Sequence, residues 1–201
     1  MEREDLIDEY FVKRGYKVGA EIGSLKGEFS AEILKRWEGE LYMVDVWRSL
    51  DEEDYPDSSN HGKHSPYMIL SECVDRMAPF GRRAIMIRAF SDQAYKLFPD
   101  ESLDFVFIDA NHSYDSVKED INLWYPKVRK GGLVMGHDYL DMDWYNDPLF
   151  LPNGKDKHIY DEYGYSGVFG VNPAVDEFCE SRGYQVSKTN EWYGTWYFEK
   201  K

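Results

Sequence analysis

Two short stretches of this chain carry the residues best suited to moving a proton. One reads Asp109-Ala110-Asn111-His112-Ser113-Tyr114, the other His137-Asp138-Tyr139. An imidazole exchanges a proton near neutral pH, so His112 or His137 could serve as a general base beside the carboxylates of Asp109 and Asp138. Asn111, His112 and Ser113 also stand where a helix begins, where polar side chains satisfy free N–H groups, and His137 could simply orient Asp138. Asn111-His112-Ser113 spells a glycosylation sequon as well, but Met1 to Asp8 is mostly charged and offers no secretory signal.

What must position these groups is a pair of strands. Leu103 to Ile108 is an almost unbroken apolar run, as in a strand buried on both faces, and Asp109 ends it. Tyr114, Val117, Ile121 and Trp124 then recur at helical spacing, stopped by Pro126 and Gly131-Gly132. Leu133 to Gly136 reads as the next strand, with His137-Asp138-Tyr139 hanging from its carboxyl end. Adjacent parallel strands would thus bring all four groups to one edge of a sheet.

The opposite half of that edge has its own signals. Val18 to Ile22 is a short apolar run that breaks at Gly23, Ser24 and Gly27 and resumes at helical spacing with Phe29, Ile33, Leu34 and Trp37. Strand, tight turn and helix start leave backbone N–H groups open to a ligand, with Glu21 beside them. The spacing is G-x-x-x-G instead of the G-x-G-x-x-G of dinucleotide sites, and an acidic neighbour suits an ammonium and a sulfonium better than two phosphates. Leu41 to Val46 is a second strand, and Asp45 at its carboxyl end can accept hydrogen bonds from both hydroxyls of a ribose.

On these residues the stretch from Glu21 to Gly27 resembles the first motif of class I S-adenosylmethionine-dependent methyltransferases. The run from Ser102 to Tyr139, with Asp109, His112, Tyr114, Val117, Asp120, Trp124, Pro126, Gly131-Gly132 and His137-Asp138-Tyr139, is similar to the branch related to catechol O-methyltransferase and to natural-product sugar O-methyltransferases. The resemblance implies an α/β fold: a Rossmann-like three-layer sandwich with a mostly parallel seven-stranded sheet and an antiparallel last strand. It implies S-adenosyl-L-methionine held by Glu21, Gly23, Ser24, Gly27, Asp45 and Asp109, with Phe90, Ser91 and Gln93 as candidates beside the adenine. It implies a divalent ion, Mg2+ or Mn2+, on Asp109 and Asp138 with His137 as a third ligand, and His112 in the place of the general base. His137 and Tyr139 depart from the all-oxygen set of the catechol enzymes, and an imidazole favours softer ions than magnesium. The implied reaction is methyl transfer to a hydroxyl of a small molecule, such as a sugar or secondary metabolite. A nicotinamide-dependent oxidoreductase on a similar sheet and a non-catalytic S-adenosylmethionine-binding module are the alternatives.

At 201 residues, the chain is expected to be a single domain. Residues 1–16 are expected to form an N-terminal helix, from Leu6, Ile7, Tyr10 and Phe11, and 48–65 and 139–166 to be lids or substrate loops. Ala84 to Arg88 reads as a strand, Ser91 as the cap of the helix after it, Ser65-Pro66 as the start of another ending at Met77, and Asn172-Pro173 as the cap of a third. Tyr184 to Val186 and Thr195 to Phe198 read as a closing hairpin. The aromatics Trp144, Tyr145, Phe150, Tyr160, Tyr163 and Tyr165 could stack on an acceptor or cover the sheet edge. His61 and His64 lack companions at metal-binding spacing. A formal charge of −14 argues against nucleic-acid and anionic-membrane partners, and Cys73 and Cys179 are expected to be reduced. A cytoplasmic protein is the expectation; oligomeric state is not readable.

Overall fold

The apolar runs of the first half pair as parallel strands, and the chain crosses between them through helices. The computed structural model describes residues 1–51, 55, 57, 60, 66–146, 149–161 and 164–201. The chain opens with α1 (Arg3–Leu6), continued by a wider π-helical stretch over Ile7–Val12. There follow β1 (Val18–Ile22), α2 (Glu28–Arg36), β2 (Glu40–Asp45), α3 (Pro66–Met77), β3 (Ala84–Arg88), α4 (Ser91–Ala94), β4 (Leu103–Ile108), α5 (Tyr114–Trp124) and β5 (Val128–Leu140). A hairpin of β6 (Lys157–Asp161) and β7 (Gly164–Phe169), then α6 (Val171–Arg182), β8 (Ser187–Lys188) and β9 (Tyr193–Glu199), complete it.

The main sheet has seven strands in the order β3-β2-β1-β4-β5-β9-β8. The first five are parallel, while β9 runs antiparallel to β5 and β8 antiparallel to β9. This is the Rossmann-like three-layer sandwich anticipated from the sequence, antiparallel last strand included. From β1 the chain winds out to β3 and returns to β4 on the other side, so the crevice between β1 and β4 is the point where open α/β sheets bind ligands.

Alternation along the buried strands feeds two cores. On one face Val106 and Ile108 of β4 pack with Val117, Ile121 and Trp124 of α5 and with Val175 and Phe178 of α6. On the other, Phe105 and Phe107 pack with Ile33 and Leu34 of α2 and with Leu6, Ile7 and Phe11 from the N-terminus. Phe11 stacks on Phe105 with ring centroids 3.8 Å apart, which lays the N-terminal segment across the sheet.

Several expectations shift. β5 is a 13-residue strand, so His137 and Asp138 lie inside it and not beyond its end. Tyr184 to Val186 is irregular, and the short outer strand is Ser187–Lys188. Residues 139–166 are no plain loop: they hold β6 and lead into β7, and Trp144, Ile159 and Phe169 make a small core with Leu140. α6 begins two residues earlier than Asn172-Pro173 suggests, with Gly170 as its cap, because the Asn172 side chain is used elsewhere, bonding both the N–H and the C=O of Leu140. His61, His64, Ser65, Asp147 and Tyr163 lie outside the described residues. Cys73 and Cys179 are free and buried. No helix among the described residues is long and apolar enough to cross a membrane.

Candidate active site

At the carboxyl ends of β1, β2, β3 and β4 lies a cavity of about 480 Å³, lined among others by Gly23, Asp45, Phe90, Ser91, Asp109 and His112. Residues from both halves of the sheet edge therefore meet at one rim. Gly23 owes its identity to this meeting: its φ is +91° and a Cβ there would fall 2.0 Å from the Asp109 carbonyl oxygen. The Asp45 carboxylate accepts the N–H of Leu25 at 2.8 Å and that of Trp47 at 2.7 Å, one on each oxygen. The N–H groups of Val46 and Ser24 also act on this carboxylate. Burial lifts the Asp45 carboxyl above its usual value against the pull of those N–H groups. Leu25 and Trp47 both have positive φ, 45° and 42°, and the Trp47 indole N–H closes onto the Leu25 carbonyl at 2.7 Å, so two strained turns are locked together under the ligand position.

Glu21, Ser24 and Gly27 do not line this cavity. Glu21 is buried below the turn, where its carboxylate accepts the Ser30 hydroxyl. Gly27 caps α2 with φ +72°, and a Cβ there would stand 3.1 Å from Cys73 Sγ, so its smallness serves the contact with α3. Burial, reinforced by the charge of Asp109, pushes the Glu21 carboxyl up to about 8. A carboxyl raised from 4.5 to about 8 favours folding below pH 4.5 and loses that contribution as pH climbs through 8. Glu21→Gln keeps an acceptor for Ser30 and cannot ionise. Its melting temperature should exceed that of the unsubstituted protein by several degrees at pH 9 and match it near pH 5; equal melting curves at both pH values would show Glu21 to be ionised at no cost in the fold.

Phe90 and Ser91 do line the cavity, and Gln93 does not. The Arg48 guanidinium lies 4.7 Å from the Phe90 ring centroid. Ser91 is not a helix cap, since Phe90 holds that position; its hydroxyl donates to Asp120 and accepts the Trp124 indole N–H at 2.8 Å.

The acids and imidazoles form one cluster. His112 Nε2 is 2.9 Å from Asp138 Oδ2 and 3.6 Å from Asp109 Oδ1, while Nδ1 is 2.8 Å from Asp57 Oδ2. The ring stacks on Phe169, centroids 4.7 Å apart. His137 Nδ1 is 3.2 Å from Asp138 Oδ1 and 3.9 Å from Asp109 Oδ1. In a regular strand His137 and Asp138 would point to opposite faces. A shift of register between Gly136 and Tyr139, with Asp138 in the left-handed region at φ 61°, turns both toward Asp109. Burial alone would lower the pKa of His112, but the charge of Asp138 and hydrogen bonds to Asp109, Asp138 and Asp57 raise it well above 6.5. His137 is raised against burial by Asp138 and Asp109. Asp138, which burial would raise, is pulled far below the usual carboxylate range by the two imidazoles. Both ring nitrogens face carboxylates, Nδ1 that of Asp57 and Nε2 those of Asp138 and Asp109, so the cluster favours the doubly protonated ring.

His137 also lines a second cavity of about 430 Å³, walled by Glu2, Arg3 and Glu4 at the N-terminus and by Glu191, Trp192 and Tyr193 before and in β9. The cluster thus stands between two cavities. Trp144 and Phe150 border neither, being packed at the sheet edge with Lys157. Sequence reasoning missed Asp57, Phe169, Asp120 and the wall around Trp192. Nothing distinguished Asp57 within its acidic run; Asp120 alone was visible, as a carboxylate on the buried face of a helix.

Fold and cavity together define a class I S-adenosylmethionine-dependent methyltransferase. A family model described as a methyltransferase domain matches residues 20–139, and the chain belongs to that family. The nicotinamide alternative falls with it. An uncharacterised protein of Acanthamoeba polyphaga mimivirus is 45% identical over 50 residues, spanning 25% of this chain and 22% of that protein's length. Among solved structures, a Staphylococcus aureus protein provisionally described as a caffeoyl-CoA O-methyltransferase superposes with a TM-score of 0.68 at 16% identity, covering 98% of this chain and 82% of its own. A Bacillus cereus O-methyltransferase in complex with S-adenosylhomocysteine gives 0.65 at 13% identity, covering 99% and 80%. The O-methyltransferase TomG of Streptomyces achromogenes, in complex with S-adenosylmethionine, gives 0.64 at 14%, covering 99% and 80%. At these identities the likeness concerns the fold.

Proposed function

We propose that the chain transfers a methyl group from S-adenosylmethionine to a hydroxyl of a small molecule, such as a sugar or a secondary metabolite. The observation that carries this reading is the placing of the Asp109, His112, His137 and Asp138 cluster between the cavity under Asp45 and the one beside Trp192. The first would hold the cofactor, with Asp45 on the ribose and Phe90 and Ser91 near the base. The second admits an acceptor against His137. His112, its Nδ1 held by Asp57, would take the hydroxyl proton on Nε2 as the neutral ring, in place of the bond that Nε2 makes to Asp138 in this structure.

Asp109, His137 and Asp138 each offer a ligand atom, all within 4.8 Å of one another, and so fit a single divalent cation. Two carboxylates and an imidazole suit Mn2+ better than Mg2+. Bound there, such an ion would lower the pKa of the acceptor hydroxyl. Transfer of labelled methyl from S-adenosylmethionine to a panel of hydroxylated metabolites tests the reading. Label should appear on at least one alcohol or phenol, fall in chelator and return more fully with manganese than with magnesium. Binding of S-adenosylhomocysteine with no transfer to any acceptor would instead mark a binding module, and full activity in chelator would reduce Asp109 and Asp138 to hydrogen-bonding roles.

A further inference from the structure

Asp120 is a buried carboxyl that the proposed reaction does not use. It sits on α5 with 7% of its surface exposed, and that surface opens into the first cavity beside Phe90 and Ser91. Its hydrogen bonding belongs to a chain that begins at an indole. An indole nitrogen only donates, so Trp124 gives its proton to Ser91 Oγ, and the single hydroxyl proton of Ser91 goes to Asp120 Oδ1. Oδ1 is therefore committed as an acceptor. The other oxygen has no hydrogen-bond partner among the described residues and is the polar atom that Asp120 has left for a ligand.

Its place in the cavity says which part of a ligand it meets. Asp45 ends β2 and suits a ribose; Phe90 and Ser91 follow β3, the next strand outward, and α5 closes the cavity from the side with Ser116, Glu119 and Asp120. A base attached to a ribose at Asp45 falls between Phe90 and α5. We propose that Asp120 reads the base-pairing edge of the cofactor's adenine, its free oxygen donating a proton to N1. The inference rests on the reading of this cavity as the S-adenosylmethionine site.

The surroundings favour the protonated carboxyl that such a bond requires. Burial, with the charges of Glu119 on the same helix and Asp92 on α4, pushes Asp120 up to about 7, against the Ser91 hydroxyl, which lowers it. The other charged groups of the cavity are Asp45, Arg48, Asp109 and His112, with the Arg48 guanidinium against the Phe90 ring. Adenine offers an acceptor at N1, which a carboxyl O–H matches. A 6-oxopurine carries a proton on N1, so it meets the protonated carboxyl donor to donor and is accepted only by the carboxylate. The protonated side chain thus favours a 6-amino over a 6-oxo base, and the ionised one, which can accept from either, favours neither.

Asp120→Asn tests this without disturbing the Ser91 bond. The amide oxygen still accepts from Ser91 and the amide nitrogen donates permanently toward N1. Calorimetric titration with S-adenosylhomocysteine and S-inosylhomocysteine, between pH 6 and pH 8.5, should give the two proteins equal affinity for the adenosyl compound at pH 6. The unsubstituted protein then weakens about tenfold by pH 8.5, the worth of one hydrogen bond, while Asp120→Asn stays level. Its preference for the adenosyl over the inosyl compound shrinks over the same range, and that of Asp120→Asn does not. A shared pH profile for the two proteins, or weaker adenosyl binding by Asp120→Asn at every pH, overturns the inference. If the unsubstituted protein binds neither compound at any pH, the cofactor reading itself fails and takes the inference with it.

Discussion

Replacing His112 by alanine should lower the turnover of methyl transfer by about 10²–10⁴, the range typical of a lost general base, with little change in S-adenosylhomocysteine affinity. The expectation follows from what each ring nitrogen faces. Nδ1 is bound to Asp57 at 2.8 Å, which holds the proton on that side, and Nε2 points at Asp138 and Asp109. With the acceptor hydroxyl replacing Asp138 before Nε2, a carboxylate behind one nitrogen and a reacting proton before the other would orient the imidazole as a base. The surrounding acids also make the ring hold its own proton firmly, and turnover therefore depends on the fraction of neutral rings. Alanine removes both bonds and leaves Asp57 and Asp138 facing an emptied space, so folding must be checked in the same sample. Tight binding of S-adenosylhomocysteine does that, because Asp45, the main polar contact expected for the nucleoside, makes its bonds to Leu25 and Trp47 independently of His112. Turnover within a factor of about three of the unsubstituted protein would remove His112 from the chemistry and leave it a clamp between Asp57 and Asp138.

The half of the site that could be read in the sequence is the half built by regular strands. β1, β2 and β4 announce themselves by short apolar runs, and a polar residue ending such a run, like Asp45 or Asp109, stands at the sheet edge for reasons of register alone. Glu21 shows the limit of that reading: it lies in β1 among buried residues, and alternation sends its carboxylate to Ser30 below the turn instead of into the cavity. The second half depends on a departure from regularity. Nothing in Gly136-His137-Asp138-Tyr139 says that the strand continues to Leu140 with one residue in the left-handed region, because the same four residues also suit a turn. Asp57 and Phe169, which hold His112 from two sides, come from segments whose path is fixed by tertiary contacts, the bridge between Asp57 and Gly167 among them. Local spacing carries no trace of such contacts.

The bulge at Asp138 has an energetic consequence that can be measured without any substrate. Asp138→Asn in metal-free protein should cost about 3–5 kcal/mol, the usual effect of removing one member of a buried ion pair, and lower the melting temperature by roughly 6–20 °C. The carboxylate is 2.9 Å from His112 and 3.2 Å from His137, so two imidazolium groups lose the same counter-charge at once. The sign of the pH dependence follows from each partner. Asp138 is depressed below 3.8, so its contribution is present above that pH and fades as pH falls toward the depressed value. His112 and His137 are raised above 6.5, so theirs is complete below 6.5 and fades as pH rises through the raised values. The two conditions overlap between about pH 4 and pH 6.5, and the gap in melting temperature between the two proteins should be widest there and narrow by pH 9. Thermal unfolding followed in chelator across that range reads the gap directly. A gap of constant width would mean that the carboxylate is missed for its shape and hydrogen bonds and not for its charge, and that the histidines beside Asp138 are neutral throughout.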